Sequence, residues 1–357
     1  MRRKLKITFI LTFVAVNFIL VLAMIFCAYS IFYTPRFHPN ISFFGMIFPA
    51  FALLNFAFVV FWLIVKRRFV FIPVMGLMTC GWALRTFFPI NFARSQSGAN
   101  LKVVTYNIMN MLDVPKGALP EDNPIVRYLI DSDADIVCLQ EAHHIGDEQN
   151  MRLLHETYPY IENVISASNF MAILSKHPIL ETVNLYDSTV ENRTFAFKVK
   201  FEEDTLLVIN NHFESFKLND EDKAEYVDMI EHPKETAENR SFLPLMKKVV
   251  AATAKRAPQA DYLDAYVRDC NEKNIILCGD FNDTPLSYVH RVMTRHLNDA
   301  YTRGGNGYSN TYNRNGMYFR IDNILVSDNI TPCFTAVDKS IDTSDHYPLV
   351  SWLKLTK

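Results

Sequence analysis

The stretch ILCGDFNDTP, residues 276–285, runs from an apolar segment straight into a carboxylate, an aromatic ring and a carboxamide. A short continuous apolar run bounded by turn residues reads as a strand buried on both faces. Asp280 and Asn282 then stand at the mouth of that strand, where a side chain is held rigidly and aimed at one edge of a sheet. The arrangement recurs along the chain. Asn107 ends a strand-like run in VVTYNI, Glu141 closes DIVCLQE, His212 ends INNHF, Asp322 opens RIDNIL, and Asp345 and His346 sit in SDHYPLV. Singly, a carboxylate after a strand is more often a solvated turn or helix cap, and a lone histidine more often a structural residue. His143, His144, His155, His177, His232 and His290 are read in that way.

Around these points, β-rich runs such as LKVVTYNIM, ADIVCLQE, FMAILSK, TFAFKVKF and PLVSWLKL recur from Leu101 onward. Some alternate with period two and some are apolar throughout, the mixture expected of sheets covered by each other on one face and by helices on the other. Helical patterns are fewer: 123–132, and 241–270 with a bend or break expected at Pro258. The charged stretch 217–240 reads as an exposed excursion, a loop or short helix. Cys138 and Cys278 lie in strand-like runs and read as small core residues. Cys270 and Cys333 can pair only if the fold brings them together, and there is no CxxC metal signature. The N-x-S/T triplets at Asn192, Asn239 and Asn329 read as chance matches.

Composition divides the chain near Gln96. Residues 1–96 contain ten basic and no acidic residues; the remainder carries 26 basic against 38 acidic, a net of −12. Two charge-free segments, 7–31 and 42–65, are long enough to cross a hydrocarbon core of roughly 30 Å as helices. FVFIPVMGLMTCGWAL, from residue 69, is shorter, but Trp82 and Arg85 suit an interface, which extends a third span over 69–90. Residues 1–96 are thus expected to be a multi-pass membrane anchor touching lipid, and 97–357 a separate catalytic domain. The basic residues at the amino terminus and at Lys66-Arg67-Arg68 put those ends in the cytoplasm by the positive-inside rule. With three spans the catalytic domain is extracytoplasmic; with two, the site faces the cytoplasm.

TYNI, LQE, NNHF, GDFND, RID and SDHYPL occur in an order that resembles the endonuclease/exonuclease/phosphatase superfamily, the fold of pancreatic deoxyribonuclease and neutral sphingomyelinases. The resemblance spans Leu101 to Trp352 and includes RAPQADYL, similar to the helix before the GDFN strand. It implies an α+β fold of DNase I-like type, a two-sheet β-sandwich flanked by helices with its site at one edge. Two departures touch the rim of that site: Asn211, where the family usually has Thr, and Asn323, where many relatives have Tyr.

The resemblance implies hydrolysis of a phosphoester, a substrate already anionic and therefore dependent on a divalent cation to offset its charge. Hard oxygen donors suit Mg²⁺, with Mn²⁺ as a substitute. Glu141 is the first expected metal ligand, Asp345 completes the shell, and Asn107 holds metal or phosphate. Asp280 orients or deprotonates the attacking water, Asn282 donates to phosphoryl oxygens without adding negative charge, and His212 bonds a non-bridging oxygen. Asp322 fixes the tautomer of His346, which serves as base on water or as acid on the leaving group. Proteins that grip long nucleic acids usually present a basic surface. The acidic domain and its anchor therefore favour a lipid headgroup or small phosphoester over DNA or RNA, with no protein partner expected. A non-catalytic binding protein retaining the fold usually loses at least one ligand, and every member of the set is present here.

Overall fold

A computed structural model describes residues 2–92, 95–115, 118–166, 169–185, 193–232 and 242–356. Fourteen strands are labelled in chain order: β1 (Leu101–Asn107), β2 (Ile136–Gln140), β3 (Tyr160–Ser166), β4 (Asn169–Ser175), β5 (Ile179–Asn184), β6 (Arg193–Phe201), β7 (Asp204–His212), β8 (Ile275–Asp280), β9 (Asn298–Asp299), β10 (Tyr312–Arg314), β11 (Met317–Phe319), β12 (Asp322–Val326), β13 (Ile330–Val337) and β14 (Leu349–Leu355). They form two six-stranded sheets, ordered β13-β14-β1-β2-β4-β3 and β5-β6-β7-β8-β12-β9, with β10 and β11 as a separate hairpin. The central pairs β1·β2 and β7·β8 are parallel and the other pairs are antiparallel.

The apolar runs are explained by three layers of core. In β2, Ile136 and Cys138 enter the space between the sheets, while Val137 and Leu139 point outward against the helix Pro124–Asp131. In β8, Ile276 and Cys278 point inward, and Ile275 and Leu277 pack with Ala257, Ala260 and Leu263 of the long helix Phe242–Asp269. Because both faces of each central strand are covered, period-two alternation disappears there. Cys138 and Cys278 are accordingly core residues, and Cys270 and Cys333 are free thiols.

A polar staple crosses the inter-sheet core. Gln140 Nε2 donates to Asn210 Oδ1 at 2.7 Å, and Asn210 Nδ2 donates to the carbonyls of Leu139 and Ala172 at 3.0 Å each. Both residues are fully buried, so the two sheets are held in one relative register by groups that cannot be left unpaired without penalty.

Two stretches differ in detail from the sequence pattern. The long helix is not divided at Pro258 but runs unbroken from Phe242 to Asp269, since Ala257, Ala260 and Leu263 of the same stretch are buried on the sheet and hold it there. The segment expected as a third span is interrupted at Cys80, giving Arg67–Thr79 and Gly81–Phe87 at a bend of 65°, whereas Lys4–Phe32 and Pro39–Val65 are each long and apolar enough to cross a membrane. Within 217–240, Asp220–Glu231 is helical, started by a capping box between Asn219 and Asp222, and 233–240 lies outside the described residues. Asn192 and Asn239 also lie outside them, while the Asn329 side chain is engaged by Ser327 and Asn274.

The apolar helices dock directly on the sandwich. Arg291 Nε donates to the Ile31 carbonyl at 3.1 Å and its guanidinium lies 4.9 Å from the Phe32 ring centroid. A Cβ on Gly45 would come within 2.1 Å of the Leu286 carbonyl oxygen, so only glycine permits that approach. Asn91 bonds the carbonyls of Thr302 and Gly305 at 3.2 and 2.6 Å.

Gly279, next to the candidate site residue Asp280, has φ +134°, and a Cβ there would lie 1.8 Å from the Asn211 carbonyl oxygen on β7. Gly279→Ala is expected to cost at least about 4 kcal/mol or to abolish folding, through backbone strain and separation of β7 from β8. Thermal unfolding, or yield of monodisperse protein, checks this; near-wild-type stability would contradict the close approach.

Candidate active site

Register assembles the polar cluster. His212 on β7 is the partner of Asp280 on β8, and Asp280 is the partner of Asp322 on β12, so three neighbouring strands present these side chains in a row. On the other sheet Asn107 ends β1, and Glu141 follows β2 with φ +48°. Asn282 has φ +50°, and Met109, Asn110 and Met111 also have positive φ. Non-glycine residues in this region cost on the order of 1–2 kcal/mol each, so the loops around the cluster hold strain that the adjoining strands must sustain.

The central group is Asp280. Asn107 Nδ2 donates to Asp280 Oδ2 and to Glu141 Oε1, each at 3.2 Å, and the Asn282 amide donates to Asp280 Oδ1 at 2.7 Å. His212 Nε2 lies 3.7 Å from Glu141 Oε1 and 3.8 Å from Asp280 Oδ2; His346 Nε2 is also 3.8 Å from Asp280 Oδ2. His346 Nδ1 bonds Asp322 Oδ2 at 2.8 Å. Asp345, Glu141, Asp280, Asn282 and His346 all line one cavity at the sheet edge. All eight residues singled out from the sequence therefore belong to one cluster, with Asn107, His212 and Asp322 behind the lining groups.

Two geometric details refine the expected set. Asn107 presents its nitrogen to the carboxylates while its Oδ1 accepts from the Met109 amide at 3.1 Å, an arrangement suited to a hydrogen-bond donor. Asn282 Nδ2 gives one hydrogen to the Phe213 carbonyl at 3.0 Å, leaving the second for another acceptor.

Electrostatics sort the titratable groups. Burial pushes the Asp280 carboxyl up to about 7, and the Asp322 charge reinforces it. Burial and then Glu141 also raise Asp345, after the opposing pull of His346. Burial alone would lower His346, but Asp322 and Asp280 outweigh it and push the imidazole up to about 10. His212 is held below its ordinary value by burial, against the pull of Glu141. Burial is the first cause of both raised carboxyls, and the donors at the cluster are hard oxygens, so the residues fit a divalent cation of the Mg²⁺ type. Asp280, Asp322 and His346 have ligand atoms within 4.8 Å of one another. That triad is a poorer cage, because an imidazole that stays protonated at neutral pH and bonds Asp322 is not a ligand. Glu141 and Asp345 are the other carboxylates that line the cavity.

Several supporting residues carried no signal of their own in the sequence. Ser344 Oγ donates to the Asn107 carbonyl at 2.8 Å and accepts from the His346 amide at 3.2 Å. Thr311 Oγ1 accepts from the amides of Ile321 and Asp322 at 3.0 Å each. Tyr312 bridges to His346 through the backbone, their rings 5.2 Å apart and nearly perpendicular. Ser344 stands inside SDHYPL and Arg320 inside RID, so their motifs marked the places without marking the roles. Arg320 bonds Asp299 and Asn323 at 2.8 Å each, which makes the Asn323 departure a structural substitution in a buried clip. Asn211, the other departure, accepts from Thr194 Oγ1 at 2.7 Å.

The architecture is a two-sheet α+β sandwich with its polar cluster at one edge. Residues 104–346 match the Endonuclease/Exonuclease/phosphatase family, and the chain belongs to that family. Residues 8–87 match a domain of unknown function, DUF8431. No curated protein matches the chain in sequence. Among solved structures it is similar to a D. rerio TDP2 humanized by 14 mutations, at 17% identity and TM-score 0.50, covering 71% of this chain and 98% of that one. It is also similar to an endonuclease/exonuclease/phosphatase from Bacteroides vulgatus, at 18% and 0.50, covering 72% and 99%. A third is the human nocturnin catalytic domain with bound sulfate, at 17% and 0.50, covering 72% and 94%. At such identities the likeness establishes the fold alone.

The dyad has a pH signature. A histidine whose folded value is raised from its ordinary 6.5 to about 10 contributes stability that is full below 6.5 and is lost as pH rises through about 10. The melting temperature of cation-free protein is therefore expected to fall between those limits, and Asp322→Asn to reduce that fall. A wild-type profile that is flat over the window would contradict the charged dyad.

Proposed function

We propose that this protein is a divalent-cation-dependent phosphoester hydrolase acting at a membrane on a lipid headgroup or small phosphoester. The observation carrying the reading is that Asn107, Glu141, His212, Asp280 and the His346–Asp322 pair converge within hydrogen-bonding or ion-pair distance at one sheet edge. Glu141 and Asp345 are the residues that would hold Mg²⁺, or Mn²⁺ in its place. When bound, the cation offsets the substrate's charge and makes phosphorus more electrophilic.

The remaining chemistry belongs to the chain. Asp280, with a carboxyl near neutrality, is suited to accept a proton from attacking water, since a general base is most effective close to the working pH. His346, kept protonated by Asp322, is suited to donate to a phosphoryl or leaving-group oxygen, which favours the acid role over the base role. The free hydrogen of the Asn282 amide and the His212 ring serve the non-bridging oxygens, and Asn107 orients the two carboxylates it bonds. A nuclease would use the same groups; the net charge of −12 on residues 97–357 weighs against a long polyanion.

Asp280 and His346 are buried, so truncation to alanine would leave unpaired polar neighbours and mix stability with chemistry. Glu141→Gln, Asp280→Asn and His346→Gln retain shape. Each is expected to lower Mg²⁺-dependent hydrolysis of bis(p-nitrophenyl) phosphate by about 10²- to 10⁴-fold with unchanged circular dichroism. Full activity in any one removes that residue from the machinery.

We further propose that residues 1–96 are a multi-pass anchor and that the catalytic domain is extracytoplasmic. Supporting this, Ile31 near the end of Lys4–Phe32 and Gly45 near the start of Pro39–Val65 touch the sandwich, as does Asn91 after the bent pair. Lys66-Arg67-Arg68 follow the far end of Phe48–Val65, a helix of about 27 Å at 1.5 Å per residue. The bent pair would then return the chain across the bilayer. An alkaline-phosphatase reporter fused after Ser97 is expected to be active and a cytoplasmic-type fluorescent reporter dark; the reverse pattern would mean two crossings.

A further inference from the structure

The cavity above the polar cluster has a volume of about 530 Å³, within the range of small-molecule sites. Its floor is polar, ending at Asp280 and His346, but much of its wall is apolar and comes from separate parts of the chain. Phe43, Met46 and Ile47 lie in the first turns of Pro39–Val65; Met229 comes from the helix Asp220–Glu231; Leu245 and Val249 come from the start of Phe242–Asp269.

A site for a small polar phosphoester needs no such wall, and burying a charged substrate against it would only remove solvation. An amphiphile fits both halves. Residues 43–47 run directly into Phe48–Val65 as parts of the candidate span Pro39–Val65, which sets this wall near one end of that span. Lys217 and Lys223 also line the cavity, giving positive charge beside the acidic floor where a phosphate would lie. Phe43, Phe216, Tyr226, Tyr312 and Phe319 also line the cavity and offer rings on which nucleic-acid bases could stack, but stacking gives no role to Met46, Ile47, Met229, Leu245 and Val249, which a hydrocarbon chain would cover.

We propose that this cavity receives the hydrocarbon portion of a bilayer phospholipid whose phosphoester lies at Asp280 and His346, so that residues 43–47 of the anchor are part of the substrate site as well as a tether. The inference rests on the hydrolase reading above and names its substrate class. It makes Phe43, Met46, Ile47, Leu245 and Val249 determinants of tail binding.

The full chain in nanodiscs doped with a phosphatidylcholine bearing a diazirine in its acyl chain should cross-link through peptides containing residues 43–47 and 245–249. Val249→Trp, and independently Met46→Trp on the opposite source of wall, should each lower that cross-linking by about tenfold, the equivalent of losing contact with roughly two methylenes. Each should also lower turnover of nanodisc phospholipid relative to bis(p-nitrophenyl) phosphate by a similar factor. Two variants from different segments keep the test meaningful if one fails to fold. If wild-type protein hydrolyses bis(p-nitrophenyl) phosphate but neither cross-links in the cavity nor turns over any phospholipid of a headgroup panel, the inference is overturned and the hydrolase reading stands. Preferential cleavage of single-stranded DNA or RNA with unchanged ratios in both variants would likewise overturn it. No Mg²⁺-dependent turnover of any phosphoester would remove the hydrolase reading, and this inference with it.

Discussion

Two carboxylates, Asp280 and Asp322, face each other across the antiparallel pair β8·β12, both almost fully excluded from water. Like charges directly opposite on neighbouring strands are destabilising, and burial makes them more so. Much of the surrounding architecture answers that constraint. His346 lies with one ring nitrogen on Asp322 and the other toward Asp280, Asn107 and the Asn282 amide donate to Asp280, and Thr311 receives the amide of Asp322. Even so, the Asp280 carboxyl is held up to about 7. The fold thus keeps a buried carboxyl well above its ordinary range, a structural cost of the kind that collects at functional sites.

Keeping those carboxylates opposed requires the sheets to be fixed in register. Gly279 lets β8 lie against Asn211 of β7, bringing His212 level with Asp280, and the buried Gln140–Asn210 staple ties β7 to β2, which carries Glu141 at its end. Arg320 is clipped to Asp299 and Asn323, so the residue immediately before Ile321 and Asp322 cannot drift. The polar cluster and the sandwich core are thus one mechanical unit. The motifs read from the sequence combine groups that face the cavity with groups that hold the strands delivering them.

That double content explains what was legible. Asp280, Glu141 and His346 were readable because a polar residue interrupts a strand-like run at each place, and their order resembled a known family. Ser344 and Thr311 were not, because each acts by bonding a backbone group of a residue distant in sequence, and no local pattern encodes that. The break at Cys80 was also hidden: 69–84 is uniformly apolar, and composition cannot distinguish one helix from two at an angle. At Pro258 the sequence rule gave way to packing, since the surrounding alanines and Leu263 are buried on the sheet. Charge obscured the region from Lys217 to Glu231 in a similar way. Tyr226 and Met229, three residues apart and so on one face of a helix, turn toward the cavity while the acidic residues dominate its composition.

The docking of the apolar helices gives the proposed reading its geometric content. A flexible tether would raise the local concentration of substrate without selecting an orientation. Here the attachment is made at several points: Gly45 against Leu286, Arg291 on the Ile31 carbonyl and the Phe32 ring, and Asn91 on the helix Ala300–Gly304 and the Gly305 that ends it. If the long helices span a bilayer, those contacts hold the sheet edge at a set height and tilt above it, and the cavity wall formed by Phe43, Met46 and Ile47 lies where hydrocarbon meets headgroups. Orientation by the anchor would then act as positioning does within an active site, because the entropy of aligning a lipid phosphoester with Asp280 and His346 is already reduced when the chain is inserted. The same rigidity disfavours a duplex polyanion, which would have to enter an acidic edge facing a membrane. Anchor and catalytic edge on this reading form a single site, whose selectivity is set as much by where it is held as by what lines it.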